Sequence, residues 1–193
     1  MRTTVILTSI AALGACVPAL AANDFSYSYV EAGYITSENN GRNGDGLNLF
    51  GTLALLDKLH GFASYSTQSF DNHVDVDFFQ AGIGLNMPVR QDLDFIGRIS
   101  FVTVDVKGPG FRVDDNGYSL NASLRTRVAG QLELSGGFNY QDLDQGGEDT
   151  SINIGARYYL KSNIALGLDI LQNNGDTTAI IGARYDLSQY ERH

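Results

Sequence analysis

The sequence predicts an all-β chain folded as a ten-stranded antiparallel up-and-down transmembrane β-barrel. Three observations carry that prediction. Beyond residue 23 there is no helical period of any length, and alternation of polar and apolar residues recurs along the chain. The alternating segments run roughly 10–14 residues, longer than the roughly 5–6 of an ordinary sheet strand and long enough to cross a bilayer at a tilt. The connections alternate between short turns and longer polar stretches, which separates the two faces of a membrane and has no purpose in a soluble sandwich.

Composition agrees. The chain has 193 residues, with 43% hydrophobic, 18% charged, 22 Gly, 3 Pro, 10 Tyr and 10 Phe. A mean hydropathy of −0.12 excludes a bundle of membrane helices. Few charges with many Gly and aromatic residues favour strands joined by tight turns. The net charge of −9 excludes a surface that tracks nucleic acid.

Residues 1–22 read as a secretory signal peptide and residues 23–193 as the barrel domain. Arg2 is the sole charge before Asp24, the stretch to Leu20 is apolar or small, and Ala19-Leu20-Ala21 is a small-x-small cleavage site. Gly14, Pro18 and the short apolar run argue against a membrane anchor. The alternative at this end is a lipoprotein box, Leu13-Gly14-Ala15-Cys16, which would retain Cys16 as a lipidated terminus. With Cys16 removed, disulfides and thiol chemistry are ruled out.

The ten segments are 25–36, 46–56, 59–69, 77–87, 92–106, 116–128, 131–143, 150–160, 164–172 and 177–187. Short turns follow the even segments before the last, at 57–58, 88–91, 129–130 and 161–163. Longer polar connections are expected at 37–45, 70–76, 107–115 and 144–149, with 173–176 shorter. An even count puts both termini at the short-turn, periplasmic end. Tyr118, Leu120, Ala122, Leu124 and Thr126 share one face of the sixth segment, against Ser119, Asn121, Ser123, Arg125 and Arg127 on the other. The fifth, seventh and eighth alternate in the same way. Aromatic residues gather towards both ends: Tyr34, Tyr65, Phe79, Phe101, Tyr118 and Tyr140 at the long-loop end, and Phe25, Tyr27, Phe95, Tyr158 and Tyr185 at the other. Two such belts match two membrane interfaces. Ile154-Gly155-Ala156-Arg157-Tyr158 recurs at Ile181-Gly182-Ala183-Arg184-Tyr185, two segments later, so both arginines point into the barrel.

The opening Phe25-Ser26-Tyr27-Ser28-Tyr29-Val30-Glu31-Ala32-Gly33-Tyr34 resembles the first strand of small Gram-negative outer-membrane β-barrel proteins, the OmpX-like and OmpA-transmembrane-like group, in a ten-stranded branch. Gly182, Tyr185 and Leu187 resemble that group's C-terminal assembly signal. Ile180 stands where the signal carries a polar residue, and the chain continues to His193 instead of ending on an aromatic. The resemblance implies an outer-membrane location and the barrel-assembly machinery as a partner.

The face opposite the lipid holds Arg98, Arg125, Arg127, Arg157 and Arg184, with Asp94, Glu133, Asp169 and Asp186 as expected counter-charges; alternation around Glu31 leaves its side open. Charges in so narrow a barrel must pair or stay wet. They either fill and shape the barrel or line a narrow ion path. The long-loop end carries 13 acids, Glu38, Asp45, Asp71, Asp75, Asp77, Asp105, Asp114, Asp115, Asp142, Asp144, Glu148, Asp149 and Asp176, against Arg42, Lys107 and Arg112. Such a rim attracts cations, and lipopolysaccharide would approach it through divalent ions. Asp71, His73, Asp75 and Asp77 are the one place where an acid–His cluster could serve as a general base. There is no Ser-His-Asp order, His-Glu-x-x-His motif or phosphate loop, and no cofactor motif. The expected role is non-enzymatic, structural or surface-interacting. The alternatives are a cation-preferring pore, a rim hydrolase of surface lipid or peptide, or, at the level of fold, a soluble ligand-binding barrel.

Overall fold

The computed structural model describes residues 25–187, apart from Asn40, Asn72 and Ala129. The expected signal peptide, Cys16 and residues 188–193 lie outside the described residues. Ten strands form: β1 (Tyr29–Asn39), β2 (Arg42–Leu56), β3 (Leu59–Phe70), β4 (Val74–Arg90), β5 (Leu93–Gly108), β6 (Phe111–Val128), β7 (Leu132–Leu143), β8 (Gly147–Lys161), β9 (Ile164–Asn173) and β10 (Asp176–Asp186). Each pairs antiparallel with its chain neighbours, and β1 pairs with β10, so the sheet closes.

The register fixes the size of the barrel. A line of paired residues starts at Arg112 on β6 and passes through Lys107, Asp75, Ser69, Asp45 and Thr36. It continues through Ala179, Ile170, Ile154 and Gly136 and returns to β6 at Leu124, twelve residues further along. With about 3.3 Å per residue and about 4.8 Å between strands, that shear tilts the strands by about 40° and gives a radius of about 10 Å. Side chains from opposite walls therefore meet wherever they are long.

The strands run further than alternation alone indicates. The stretches expected as long loops are mostly strand: β2 begins at Arg42, β4 at Val74 and β8 at Gly147, while β5 and β6 continue to Gly108 and from Phe111. The asymmetry between the two ends is therefore one of strand extension, with tight turns at both. Polar residues on these extensions hide the strand signal, because neither of their faces is apolar. The β5–β6 hairpin stands tallest, since β6 meets β7 only from Gly117 onward. Asn174 and Gly175 both have positive φ, 41° and 100°, which suits the two-residue turn that matches strand twist.

The outer face is apolar. Leu47, Leu49, Ile83, Ile99, Leu120, Ile154 and Ile181 are all more than 40% exposed on it. Tyr34, Tyr65, Phe79, Phe101 and Tyr118 also point outward, Tyr140 lies beside Tyr118 at 6.2 Å, and Tyr158 and Tyr185 are exposed near the opposite end. Phe25 and Tyr27 depart from the expected belt. They precede β1, are 6% and 7% exposed, and turn into the lumen, because polar partners there hold the segment by its backbone and by the Tyr27 hydroxyl.

Candidate functional site in the barrel lumen

The inward face begins as a charge lattice at the end nearer the termini. Glu133, at the start of β7, is 2% exposed and lies opposite Arg127 at the end of β6. It meets Arg125 at 2.7 Å, Arg184 at 2.9 Å and Arg127 at 3.7 Å. Glu31 faces inward on β1 and accepts from Arg184 Nε at 2.6 Å and Arg157 Nε at 2.8 Å. Arg157 also grips Asp169 with both terminal nitrogens, at 2.8 and 2.7 Å. The chain of contacts is thus Asp169–Arg157–Glu31–Arg184–Glu133–Arg125, with Arg127 at its edge. The repeated Gly-Ala-Arg-Tyr segments deliver Arg157 and Arg184 to one carboxylate, Glu31, as two copies pointing the same way should.

Glycines make room for this lattice. A Cβ at Gly167 would stand 2.7 Å from Arg157 Cδ, and one at Gly155 2.3 Å from Asp169 Oδ1. At the closing seam a Cβ on Gly182 would stand 2.5 Å from the Ala32 carbonyl oxygen. Of the residues resembling an assembly signal, Gly182 is thus in the β1–β10 contact, while Tyr185 and Leu187 point outward.

Aromatic residues seal the lattice. Phe25 lies against Arg125, whose guanidinium carbon is 4.7 Å from its ring centre, and Tyr29 against Arg184 at 3.9 Å. Such contacts favour a cation held out of water. Arg125 donates to the Ser26 carbonyl at 3.0 Å, and the Tyr27 hydroxyl donates to Asp94 at 2.5 Å. Tyr27 stacks on His60 at 5.2 Å. Asp94 and Asp186 are buried in this region, yet among the described residues neither forms an ion pair with an arginine, and each has one carboxylate oxygen without a protein hydrogen bond.

Four contributors are not marked by sequence alone. Alternation left Glu31 undecided, although it links two arginines. Phe25 and Tyr27 have the composition of a lipid belt. His60 stands beside a turn in the sequence, but its side chain is fully buried inside the barrel, and Arg98 Nε donates to its Nε2 at 3.1 Å. A Cβ at Gly84, beside it on β4, would stand 2.3 Å from that nitrogen, and this contact-bearing glycine was the available signal.

Above the lattice the lumen widens into a cavity of about 440 Å³. Its lining mixes neutral polar side chains, Ser64, Ser66, Gln68, Gln80, Ser100, Ser119, Asn121, Asn139, Gln141, Ser151, Asn153 and Thr178, with apolar ones such as Phe50, Phe62, Phe78 and Ile180, and with the charged Glu31, Arg98, Arg125, Glu133, Asp149, Arg157, Asp169 and Arg184. Arg98 forms part of the floor.

The rim acids are dispersed. Asp77, two residues before the outward Phe79 and on the same face, accepts from Lys107 at 2.8 Å and from the Tyr65 hydroxyl at 2.9 Å. The Lys107 hydrogen bond holds Asp77 below the usual carboxylate range, and Asp77 in turn raises Lys107. Asp105 pairs with Lys107 and Arg112, and Asp114 with Arg112. Asp75 accepts from Ser69, and Asp71 and His73 are exposed at the turn. No group of three or more His, Cys, Asp or Glu is gathered for a metal ion among the described residues.

Comparison of the sequence with known families finds a match over residues 7–159 to the family described as "Outer membrane protein beta-barrel domain". This chain belongs to that family. Its closed ten-stranded barrel with an apolar outer face and charged lumen is an outer-membrane barrel. No curated protein matches it. Among solved structures, it is similar to the KdgM porin in complex with disordered oligogalacturonate, at 12% identity over 83% of this chain and 99% of that one, TM-score 0.49. The translocator domain of autotransporter NalP from Neisseria meningitidis is 11% identical over 84% and 89%, TM-score 0.47. The NanC porin is 13% identical over 83% and 100%, TM-score 0.45.

Proposed function

We propose that this barrel is a closed, non-enzymatic outer-membrane protein with a structural and surface-interaction role: a cup open to the outside, with no through-channel. One observation supports this reading above the others, the fill of the lumen nearest the termini. Glu31, Glu133, Asp169 and four arginines bond across it, and Phe25, Tyr27 and Tyr159 pack against the guanidinium groups. A passing ion would have to part buried ion pairs, and breaking one costs roughly 3–5 kcal/mol. A cation-preferring pore is opposed by Arg98 on the cavity floor, which adds positive charge where such a pore needs negative.

In this reading the termini lie in the periplasm of a Gram-negative envelope and the tall hairpins face outward. The band just beyond the aromatic belt would meet lipopolysaccharide head groups, with Lys107 and Arg112 within reach of phosphate. Asp71 and Asp75, which pair with no basic side chain among the described residues, would hold divalent ions that bridge to those phosphates. Gly182, Tyr185 and Leu187 would present the assembly signal to the barrel-assembly machinery during folding.

Reconstituted vesicles test the closed state. Protein at high density should cause no osmotic swelling in arabinose, and swelling at a porin-like rate would refute closure. Cysteine substitutions on intact cells test orientation: one at Gln145 should react with impermeant maleimide and one at Lys58 should not.

A further inference from the structure

Arg98 differs from every other lumenal arginine. Arg125, Arg127, Arg157 and Arg184 each have a carboxylate within 4 Å, and Arg98 has none among the described residues. Its Nε donates to His60 Nε2 at 3.1 Å, which uses the stem side of the guanidinium. No protein hydrogen bond is made by its two terminal nitrogens among the described residues. Arg98 lines the 440 Å³ cavity.

This guanidinium is also held in place. It lies 5.4 Å from the Phe50 ring centre and 5.3 Å from that of Phe62. His60 is in turn packed between Tyr27 and Phe62, with Nδ1 3.4 Å from Asn86 Oδ1. Gly84 admits the close approach, because a Cβ there would stand 2.3 Å from His60 Nε2 and 2.8 Å from Arg98 Cγ. A cation with its fork fixed and unpaired needs an anion or water to satisfy it.

We propose that the cup holds a binding site for a small polyhydroxylated carboxylate, with Arg98 as the anion anchor. The fork matches a carboxylate through two parallel N–H···O bonds. One guanidinium balances one negative charge, so a monoanion fits better than a phosphate dianion. The walls select the remainder of the molecule. Asn121 is the direct cross-strand partner of Arg98, and Ser100, Gln80 and Ser64 follow along the wall. Hydroxyls and amides both donate and accept, which suits a chain or ring of hydroxyl groups. A volume of about 440 Å³ is within the range of small-molecule sites and admits a sugar acid of one or two rings. One rim acid, Asp149, lines the cavity and accepts from the side-chain amides of Asn173 and Asn174. Asp77, Asp105 and Asp114 lie on the outer face of the extended strands and pair with Lys107 or Arg112. They act through water over a Debye length of about 8 Å, while Arg98 is ten residues down β5 from the hairpin tip.

The proposal rests on the cup being open outward, and the test separates the two ideas. Folded protein in detergent at low salt is titrated calorimetrically with D-gluconate, acetate and sorbitol. Gluconate should bind at one site, with acetate and sorbitol weaker because each keeps half of the recognised chemistry. Arg98→Gln should weaken gluconate by about tenfold or more, the size expected for a hydrogen bond to a charged group. Asn121→Asp supplies an internal carboxylate beside an intact Arg98. It should abolish gluconate binding while leaving heat-modifiable migration unchanged, and it decides the matter if Arg98→Gln fails to fold. Absent gluconate binding in the parent, or equal binding in the parent and Asn121→Asp, overturns the proposal. Swelling of vesicles together with Arg98-dependent gluconate binding would overturn only the closed state.

Discussion

Replacing Glu133 with Gln should destabilise the barrel more than any single change on its outer surface. The substitution keeps the shape and removes the charge. In the parent, one carboxylate 2% exposed receives Arg125 at 2.7 Å and Arg184 at 2.9 Å, with Arg127 at 3.7 Å. Arg125 and Arg184 are themselves 4% and 5% exposed, so water cannot take over. The connected lattice holds four arginines against Glu31, Glu133 and Asp169; after the change two carboxylates remain. Breaking a buried pair by removing one partner costs about 3–5 kcal/mol, or roughly a hundredfold to several thousandfold in the folding equilibrium. Urea titration in lipid vesicles, followed by the heat-modifiable gel shift, measures it. Arg125→Met in the Glu133→Gln background should recover part of the loss, since it removes one uncompensated charge. A loss below about 1 kcal/mol for Glu133→Gln, or no recovery in the double variant, would show that the lattice is solvated and that the burial argument is mistaken.

Three further outcomes follow from other parts of the barrel. Ile154 lies seven residues from each end of β8 and is 56% exposed on the outer face, so Ile154→Arg should cost about 2–4 kcal/mol and impair assembly, while Asn153→Arg on the lumenal side should be milder; equal yields of folded protein would count against a lipid-facing surface. Gly84→Ala should displace His60 and Arg98 and cost about 1–3 kcal/mol in the same urea titration, with an unchanged midpoint contradicting the close approach. At the rim, the Asp77 carboxyl is depressed by Lys107, so their contact is complete at neutral pH and is lost only as pH falls through the lowered folded-state value; an NMR titration should place its midpoint below that of an unpaired carboxylate, and Lys107→Gln should raise it.

The transmembrane part of the fold is legible because each strand there has one face in lipid. Ile152, Ile154, Ala156, Tyr158 and Leu160 alternate with Asn153, Gly155, Arg157 and Tyr159, and the period of two is visible without any structure. Beyond the aromatic belt both faces meet water, so residues 107–115 show no apolar period although they are almost entirely strand. Lumenal arginines are legible for the same reason as the strands, being the polar members of the alternation. Their partners are less so. Glu31 lies 126 residues from Arg157 and 153 from Arg184 in sequence, and closure of β1 on β10 brings them together. Phe25 and Tyr27 have the chemistry of an interface belt; the Asp94 carboxylate, 67 residues from Tyr27, and the Arg125 guanidinium, 99 residues from Ser26, draw them inward from β5 and β6 and carry no local signal.

Single-channel recording in planar bilayers tests the closed barrel most directly. The parent protein should insert without ohmic conductance in 1 M KCl, a standard high-salt recording condition at which surface charges are screened to about 3 Å. A variant lacking the seal, Glu31→Ala with Glu133→Ala and Tyr27→Ala, should open discrete conducting events from the same preparation. Steady conductance from the parent, of the size found in the unsealed variant, would contradict the account.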